Sequence, residues 1–574
     1  MKHIKKLFII ILYSIFSCIC LYILFYPIYF SSEIIIPFGL HPFDIYEKNS
    51  YIWTFLKSTF IFLSFFSNLI IFNFFINKYN FIIEKFISLL TLKSKKEKIN
   101  PNFNPISENE QKIKLIIGKE INSQKNIIIP QSGLFQNFLI TGTIGTGKTS
   151  SAMYPFTEQL IKYNFLNQKN KIPILILDVK GNYFYYVKNL LKKYNLINDL
   201  IEIGINSKIK YNPLHKPNLK PSVLANRLKT ILLLFSENNS ESFWIDKSEQ
   251  ILTEAIKLCR LYNNGYVTFT ELHKLITVPT YYKSKLEKIR ILFSKNQFNS
   301  EQIYELNTAL DFFEKEFNTL DSRTLAILKS EITRITNIFI SDYNISKTFC
   351  PKKSELNFTG FSSMLKNGKI VVLNMNIAEY KNLSKLISAY LKLDFQSEVM
   401  YNLSHNKTRP SAFICDEYAE YVTKSDANFF SLSREAKCIN IISTQSYSSL
   451  NNTLKDENAV KVITQNLINK LWFRTDDIYT IEEAQKQLGK EEKEKVSSTI
   501  SENAKETHFN YITNSLNSKN SNITESYNTY TQNDFIFDTN FFTQNLETFT
   551  CLAFLSDGNK IIKPSKIQMF PYFK

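Results

Sequence analysis

Glycine is sparse in this sequence, with 13 residues in 574. A pattern such as G-x-x-x-x-G-K-[ST] therefore arises by chance in only about one in a few hundred such chains, so a match to it carries information. Cysteine is also uncommon. Cys18, Cys20, Cys259, Cys350, Cys415, Cys438 and Cys551 form no C-x-x-C pair, and the six histidines do not cluster with them. That pattern excludes a zinc site and a disulfide framework and fits a reducing compartment. Internal repeats are absent, as is any separate DNA-reading motif such as a zinc finger. The formal charge is +17, which admits an anionic partner. The chain is rich in Lys, Asn, Ile, Phe and Tyr together, the mark of an AT-rich genome, so the charge alone does not identify that partner.

The glycines that are present concentrate in Gly142-Thr-Ile-Gly-Thr-Gly-Lys-Thr149, which fits G-x-x-x-x-G-K-[ST]. The apolar run Asn137–Thr141 leads in, and a helix-compatible run from Ser150 to Tyr163 leads out. This is the strand–loop–helix setting of a phosphate-binding loop, and ATP with Mg²⁺ is its expected cofactor. Gly142, Thr143, Ile144, Gly145, Thr146, Gly147, Lys148, Thr149 and Ser150 are the expected binding residues. Backbone N–H groups and the helix N-terminus would face the phosphates. Lys148 would reach the β- and γ-phosphates, and the Thr149 hydroxyl would ligate Mg²⁺.

Beyond the loop the chain alternates as an α/β domain does. Ile172–Val179 is a continuous apolar run closing in Asp178-Val-Lys-Gly181, a buried parallel strand and a turn. From Pro221 to Cys350 the pattern becomes amphipathic and helical, over Ser222–Leu234, Ser248–Tyr262 and Ile303–Asn337. It reads as an all-α insertion. Strands resume at Lys369–Asn374, and Ala412–Glu417 is an apolar strand ending in Asp416 and Glu417. In an ATPase the aspartate holds the Mg²⁺ shell and the glutamate polarises the attacking water. A further strand, Cys438–Ser443, ends beside Gln445, placed to sense the γ-phosphate. Arg434 precedes that strand. It reads either as a finger reaching a neighbouring subunit's nucleotide or as an ordinary surface arginine near a helix end.

Two long apolar runs, Leu7–Phe30 and Ser58–Ile76, precede the loop, and each is long enough to cross a bilayer as a helix. Lys2, Lys5 and Lys6 flank the first; Lys78, Lys85, Lys93, Lys95, Lys96 and Lys98 follow the second. The positive-inside rule places both flanks in the cytoplasm. The expected organisation is a membrane anchor over 1–99 with spans of about 7–30 and 55–76, then a nucleotide-binding domain over 100–220 and 351–490, split by the insertion 221–350. Residues 491–533 read as a flexible polar segment, and 534–574 as a C-terminal strand and tail.

TGTIGTGKTSSAMYP, LDVKGN, YNPL (Tyr211–Leu214), FWIDKSEQ (Phe243–Gln250), FICDEYAEY and LSREAKCINIISTQSYSSL follow the two apolar runs in one order. In that order the chain resembles the type IV secretion coupling proteins, the TraG/TraD-type ATPases of bacterial conjugation. The resemblance runs from the first apolar run to about Gly489. It implies a RecA-like, usually hexameric motor attached to the inner membrane by two helices, with both termini cytoplasmic. The implied partners are a relaxase–DNA complex or effector proteins, secretion-channel subunits and membrane lipid. The family pattern carries an arginine and a glutamine at the positions of Arg434 and Gln445, which favours the finger. Tyr211 stands where a tryptophan is frequent, and Asp178 and Lys180 match a recurrent D-x-K-G without an assigned chemistry. Among rivals, a septal DNA translocase would bring more spans, a long linker and a DNA-reading tail. An ABC transporter would bring a Ser-Gly-Gly signature, and a nucleotide-binding scaffold would have no use for Glu417.

Overall fold

The short apolar runs bounded by turns become strands buried on both faces, as a parallel sheet covered by helices requires. The computed structural model describes residues 112–573 apart from Val179, Asn206, 235–241, 296–297, 504–507, 511–514 and 518–521, together with isolated residues between Tyr51 and Phe62. By contacts the chain divides into the units Met1–Asn102 and Phe103–Lys574. In the first, the few described residues are helical. The expected spans otherwise lie outside the described residues, and among those described no helix is long and apolar enough to cross a membrane.

The second unit contains β1 (Lys114–Glu120), β2 (Asn126–Pro130), β3 (Phe138–Thr141), β4 (Ile174–Leu177), β5 (Leu200–Ile203), β6 (Ile370–Leu373), β7 (Ser411–Cys415), β8 (Cys438–Thr444) and β9 (Asn469–Phe473). It continues with β10 (Lys490–Asn503), β11 (His508–Asn510), β12 (Ser515–Asn517), β13 (Asn522–Phe535), β14 (Thr550–Ser556) and β15 (Ile561–Gln568). One sheet runs in the order β2-β1-β15-β14-β9-β3-β8-β7-β4-β6-β5. From β9 to β5 every pairing is parallel. From β2 to β9 every pairing is antiparallel. The expected α/β class with a large parallel sheet is what the chain adopts.

Strand periodicity sorts the core into two layers. Phe138, Ile140, Ile174, Ile176, Ala412 and Ile414 pack on one face with the helices Tyr154–Leu166 and Asn182–Lys193. Leu139, Leu175, Leu177, Val371, Leu373, Phe413 and Cys415 point to the other face. That second layer is continuous with the cores of the helices between Pro221 and Phe349, so Leu228, Ile256, Leu272 and Phe339 share one apolar cluster with the sheet. The helical stretch thus forms one face of the sheet's own core. It enters the chain between β5 and β6, which remain paired at the sheet edge.

The segment expected to be a flexible polar stretch is a correction. Within it, β10 and β13 pair antiparallel from Lys490↔Phe535 to Asn503↔Asn522, and β11 pairs β12 beyond them. A two-stranded ribbon needs no apolar face to hydrogen-bond its backbone, and Thr, Tyr, Ile and Val suit extended chain. Lys495 adds a 2.7 Å ion pair to Asp534 across the strands. Low hydrophobicity predicts the absence of a core and leaves paired strands open.

Candidate nucleotide site

β3 ends at Thr141, and the chain turns through Gly142–Lys148 into a helix that opens with a π turn, Thr149–Met153. Gly142 and Gly147 take φ of 150° and 96°, in the region that favours glycine. Each is also sterically required. A Cβ on Gly142 would lie 2.6 Å from Phe473 Cβ, and one on Gly147 would strike the ring of Phe549. The Gly142 N–H donates to Gln445 O at 3.1 Å, and the Thr143 N–H to Arg474 O at 2.9 Å. The loop is therefore clamped to the ends of β8 and β9. At its tip, Thr143, Ile144, Gln445, Thr475, Asp476 and Asp477 line an open cleft of about 570 Å³.

Within the loop, Lys148 Nζ donates to the carbonyls of Gly142 and Thr143. Burial lowers the pKa of Lys148, opposed by the carboxylates of Glu417 and Asp416. Thr149 Oγ1 donates to Asp416 Oδ2 at 2.7 Å, joining residues far apart in sequence. Strand order explains the meeting: β8 separates β3 from β7, and their carboxyl ends lie at one edge. Asp416 is buried, and burial raises its pKa, with the Thr149 hydrogen bond opposing and Asp178 and Glu417 adding to the rise. A cation arriving beside Thr149 would relieve that cost.

Glu417 begins the turn after β7 with φ 50° and ψ 48°, a strained conformation for a glutamate. Its carboxylate accepts from Lys180 Nζ at 3.2 Å and from Gln445 Nε2 at 3.4 Å. Gln445 thus reaches both the phosphate loop, through its carbonyl, and Glu417, through its amide. A buried knot anchors the stretch after Glu417. Lys392 Nζ donates to Tyr421 O, Thr423 Oγ1 and Asp426 Oδ2, and Gln396 and Tyr418 also donate to Asp426. The long helix Ile377–Ser404 therefore holds the segment that presents Glu417.

The D-x-K-G residues acquire roles. Asp178 accepts from the backbone N–H groups of Lys180 and Tyr183, each at 3.1 Å, and so closes the turn into the helix Asn182–Lys193. Lys180 is the ion-pair partner of Glu417. Burial works against its charge, but Glu417 and Asp416 prevail and raise its pKa. Asp178 at the end of an apolar strand and ahead of Gly181 was readable as a turn-closing residue, whereas nothing near Lys180 in sequence points to Glu417.

Arg434 is exposed at the amino end of β8, and its guanidinium donates to Gly558 O at 3.4 Å. Lys148, Thr149, Asp416, Glu417 and Gln445 meet at the opposite end. The fold does not bring Arg434 to them within one chain.

Residues 410–534 match the family described as the TraM recognition site of TraD and TraG. The chain resembles the type IV coupling proteins. Among solved structures, the bacterial conjugative coupling protein TrwB in an unbound form is 13% identical with a TM-score of 0.53, over 79% of this chain and 89% of that one. TrwB in complex with the non-hydrolysable GTP analogue GDPNP matches at 13% identity and a TM-score of 0.51, over 77% and 87%. TrwB in complex with ADP and Mg²⁺ matches at 13% and 0.50, over the same shares of 77% and 87%. These likenesses show the fold, which is that of TrwB. Among curated proteins, no sequence matches.

Proposed function

We propose that this chain is an inner-membrane ATPase that couples a relaxase–DNA complex or protein effectors to a type IV secretion channel and drives their transfer by ATP hydrolysis. The observation that carries the reading is the meeting of Lys148, Thr149, Asp416, Glu417 and Gln445 across β3, β8 and β7. The residues fit Mg-ATP. Thr149 and Asp416, already joined by a hydrogen bond, would hold the metal, and Lys148 would hold the phosphates. Bound Mg²⁺ would supply charge neutralisation at the phosphates. Glu417 is the base that takes the proton of the attacking water, and Gln445 is set to link the state of the phosphates to that base.

Arg434 completes the site from a neighbouring subunit. It lies exposed and away from its own chain's Lys148 and Glu417, as a finger acting in trans across a head-to-tail interface requires. A homohexamer, anchored by two helices of about 7–30 and 55–76 with both termini in the cytoplasm, is the assembly that supplies such interfaces. The cargo reading draws on the likeness to TraD and TraG over 410–534.

The test is ATP turnover by the full-length protein, with and without single-stranded DNA. Mg-dependent hydrolysis stimulated by DNA supports the reading. Nucleotide binding without turnover under either condition would leave a scaffold instead. Reporter fusions should place Asn49 outside the cytoplasm and Asn100 within it, and the reverse orientation would refute the topology.

A further inference from the structure

With the β- and γ-phosphates at Lys148, Thr149 and Glu417, the nucleoside must leave the loop past Ser150, away from the β7 edge. The C-terminal segment crosses there. Phe549, just before β14, donates its N–H to Thr146 O at 3.1 Å, and its ring lies against Gly147. Phe549 holds a φ of 63°, a conformation costly for an aromatic residue. Its carbonyl accepts from the Met569 N–H at 2.8 Å, and the chain then reaches Tyr572, whose N–H donates to Ser150 O at 2.9 Å. Two residues of the loop region, Thr146 and Ser150, are thus held by backbone bonds from the end of the chain.

This segment carries aromatic rings. The Tyr572 ring meets Tyr154 at 5.1 Å and Tyr186 at 5.3 Å, both edge-on. Phe573 follows, 5.8 Å from Phe549 at 72° and 5.2 Å from Tyr572 at 82°. Neither neighbour lies flat over Phe573, and 59% of it remains exposed. A large ring fixed by perpendicular neighbours yet left in water, beside the nucleoside's exit, has the form of a stacking platform.

We propose that Phe573, braced by Phe549 and Tyr572, is the surface on which the base of the bound nucleotide stacks. The inference rests on the nucleotide site proposed above. Stacking reads the ring face and no hydrogen-bonding edge, so ATP and GTP should bind within a few-fold of each other.

The experiment compares Mg-ATP with Mg-tripolyphosphate, which has the phosphates but no nucleoside, on the full-length chain. Phe573→Ala should weaken ATP about tenfold, leave tripolyphosphate unchanged and preserve the melting temperature. Phe573→Trp should restore ATP affinity. Lys148→Ala should lose both ligands. Equal weakening of both ligands by Phe573→Ala would make the residue a brace for the loop and overturn the platform, as would unchanged ATP affinity. A wild-type chain that binds neither ligand would remove the nucleotide site itself, and the platform with it.

Discussion

Strand β8 meets functional residues at both ends, and the two ends differ in what one chain can build. At the carboxyl end, Gln445 touches the phosphate loop and Glu417. At the amino end, the Arg434 guanidinium donates to the carbonyl of Gly558. Parallel pairing gathers the carboxyl ends of β3, β8 and β7 at one edge, so the residues proposed as grip, metal ligands and base converge there without help from another chain. No internal packing carries Arg434 the length of the strand. The binding half of the site is therefore intramolecular, and in the reading proposed above the arginine that stabilises the transition state comes from a second copy.

The sharpest test of that contrast is Arg434→Ala. Hydrolysis should fall by roughly 10³-fold or more while ATP affinity stays near wild type, measured by turnover and equilibrium binding. Mixing it with Lys148→Ala protein should restore part of the activity, because some interfaces then pair an intact loop with an intact arginine. Full activity in Arg434→Ala alone would make both ends of β8 equal and return the residue to the surface.

Glu417→Gln should cost on the order of 10²–10⁴-fold in turnover and retain nucleotide binding, the converse of Lys148→Ala. Wild-type turnover would show that the base lies elsewhere. A smaller effect is expected at Lys180, whose ion pair with Glu417 is partly exposed. Lys180→Met should lower kcat about two- to fivefold without changing KM, and Lys180→Arg should behave as wild type. A change in KM with constant kcat would place Lys180 on substrate rather than on the base.

A control lies mid-sheet, between the two ends. Lys470 of β9 registers with Leu139 and Phe554, and burial pushes its pKa from 10.5 down to about 8. The unfolded chain then binds more protons than the folded one between about pH 8 and 10.5, so this residue makes stability rise with pH across that window. Lys470→Met should raise stability at pH 7 by on the order of 3 kcal/mol and remove that slope in urea unfolding, with KM for ATP unchanged. A variant as stable as wild type at pH 7 would show that the ammonium reaches water.

The phosphate loop and the acidic strand were legible because each is a contiguous stretch whose chemistry and local structure coincide. Gly142–Thr149 needs only its flanking strand and helix, and Asp416–Glu417 only the end of a buried strand. The ribbon of β10 and β13 was misread because low hydrophobicity reports on cores and not on backbone pairing. Lys180 had no readable role, since its partner Glu417 lies 237 residues away and the pairing exists only because β4 sits beside β7.

The sequence by itself determined the phosphate-binding loop, the acidic strand, the helical insertion and the α/β alternation, because hydrophobic period and local motif act over a few residues. Tertiary structure alone decided the strand order that puts Thr149 on Asp416 and Lys180 on Glu417, and the merging of the insertion with the sheet's own core. It also decided the passage of Phe549 and Tyr572 over the loop, and the stranding of Arg434 at the far edge. Those outcomes depend on which buried strands become neighbours, and apolar runs of similar length and composition do not encode that choice locally.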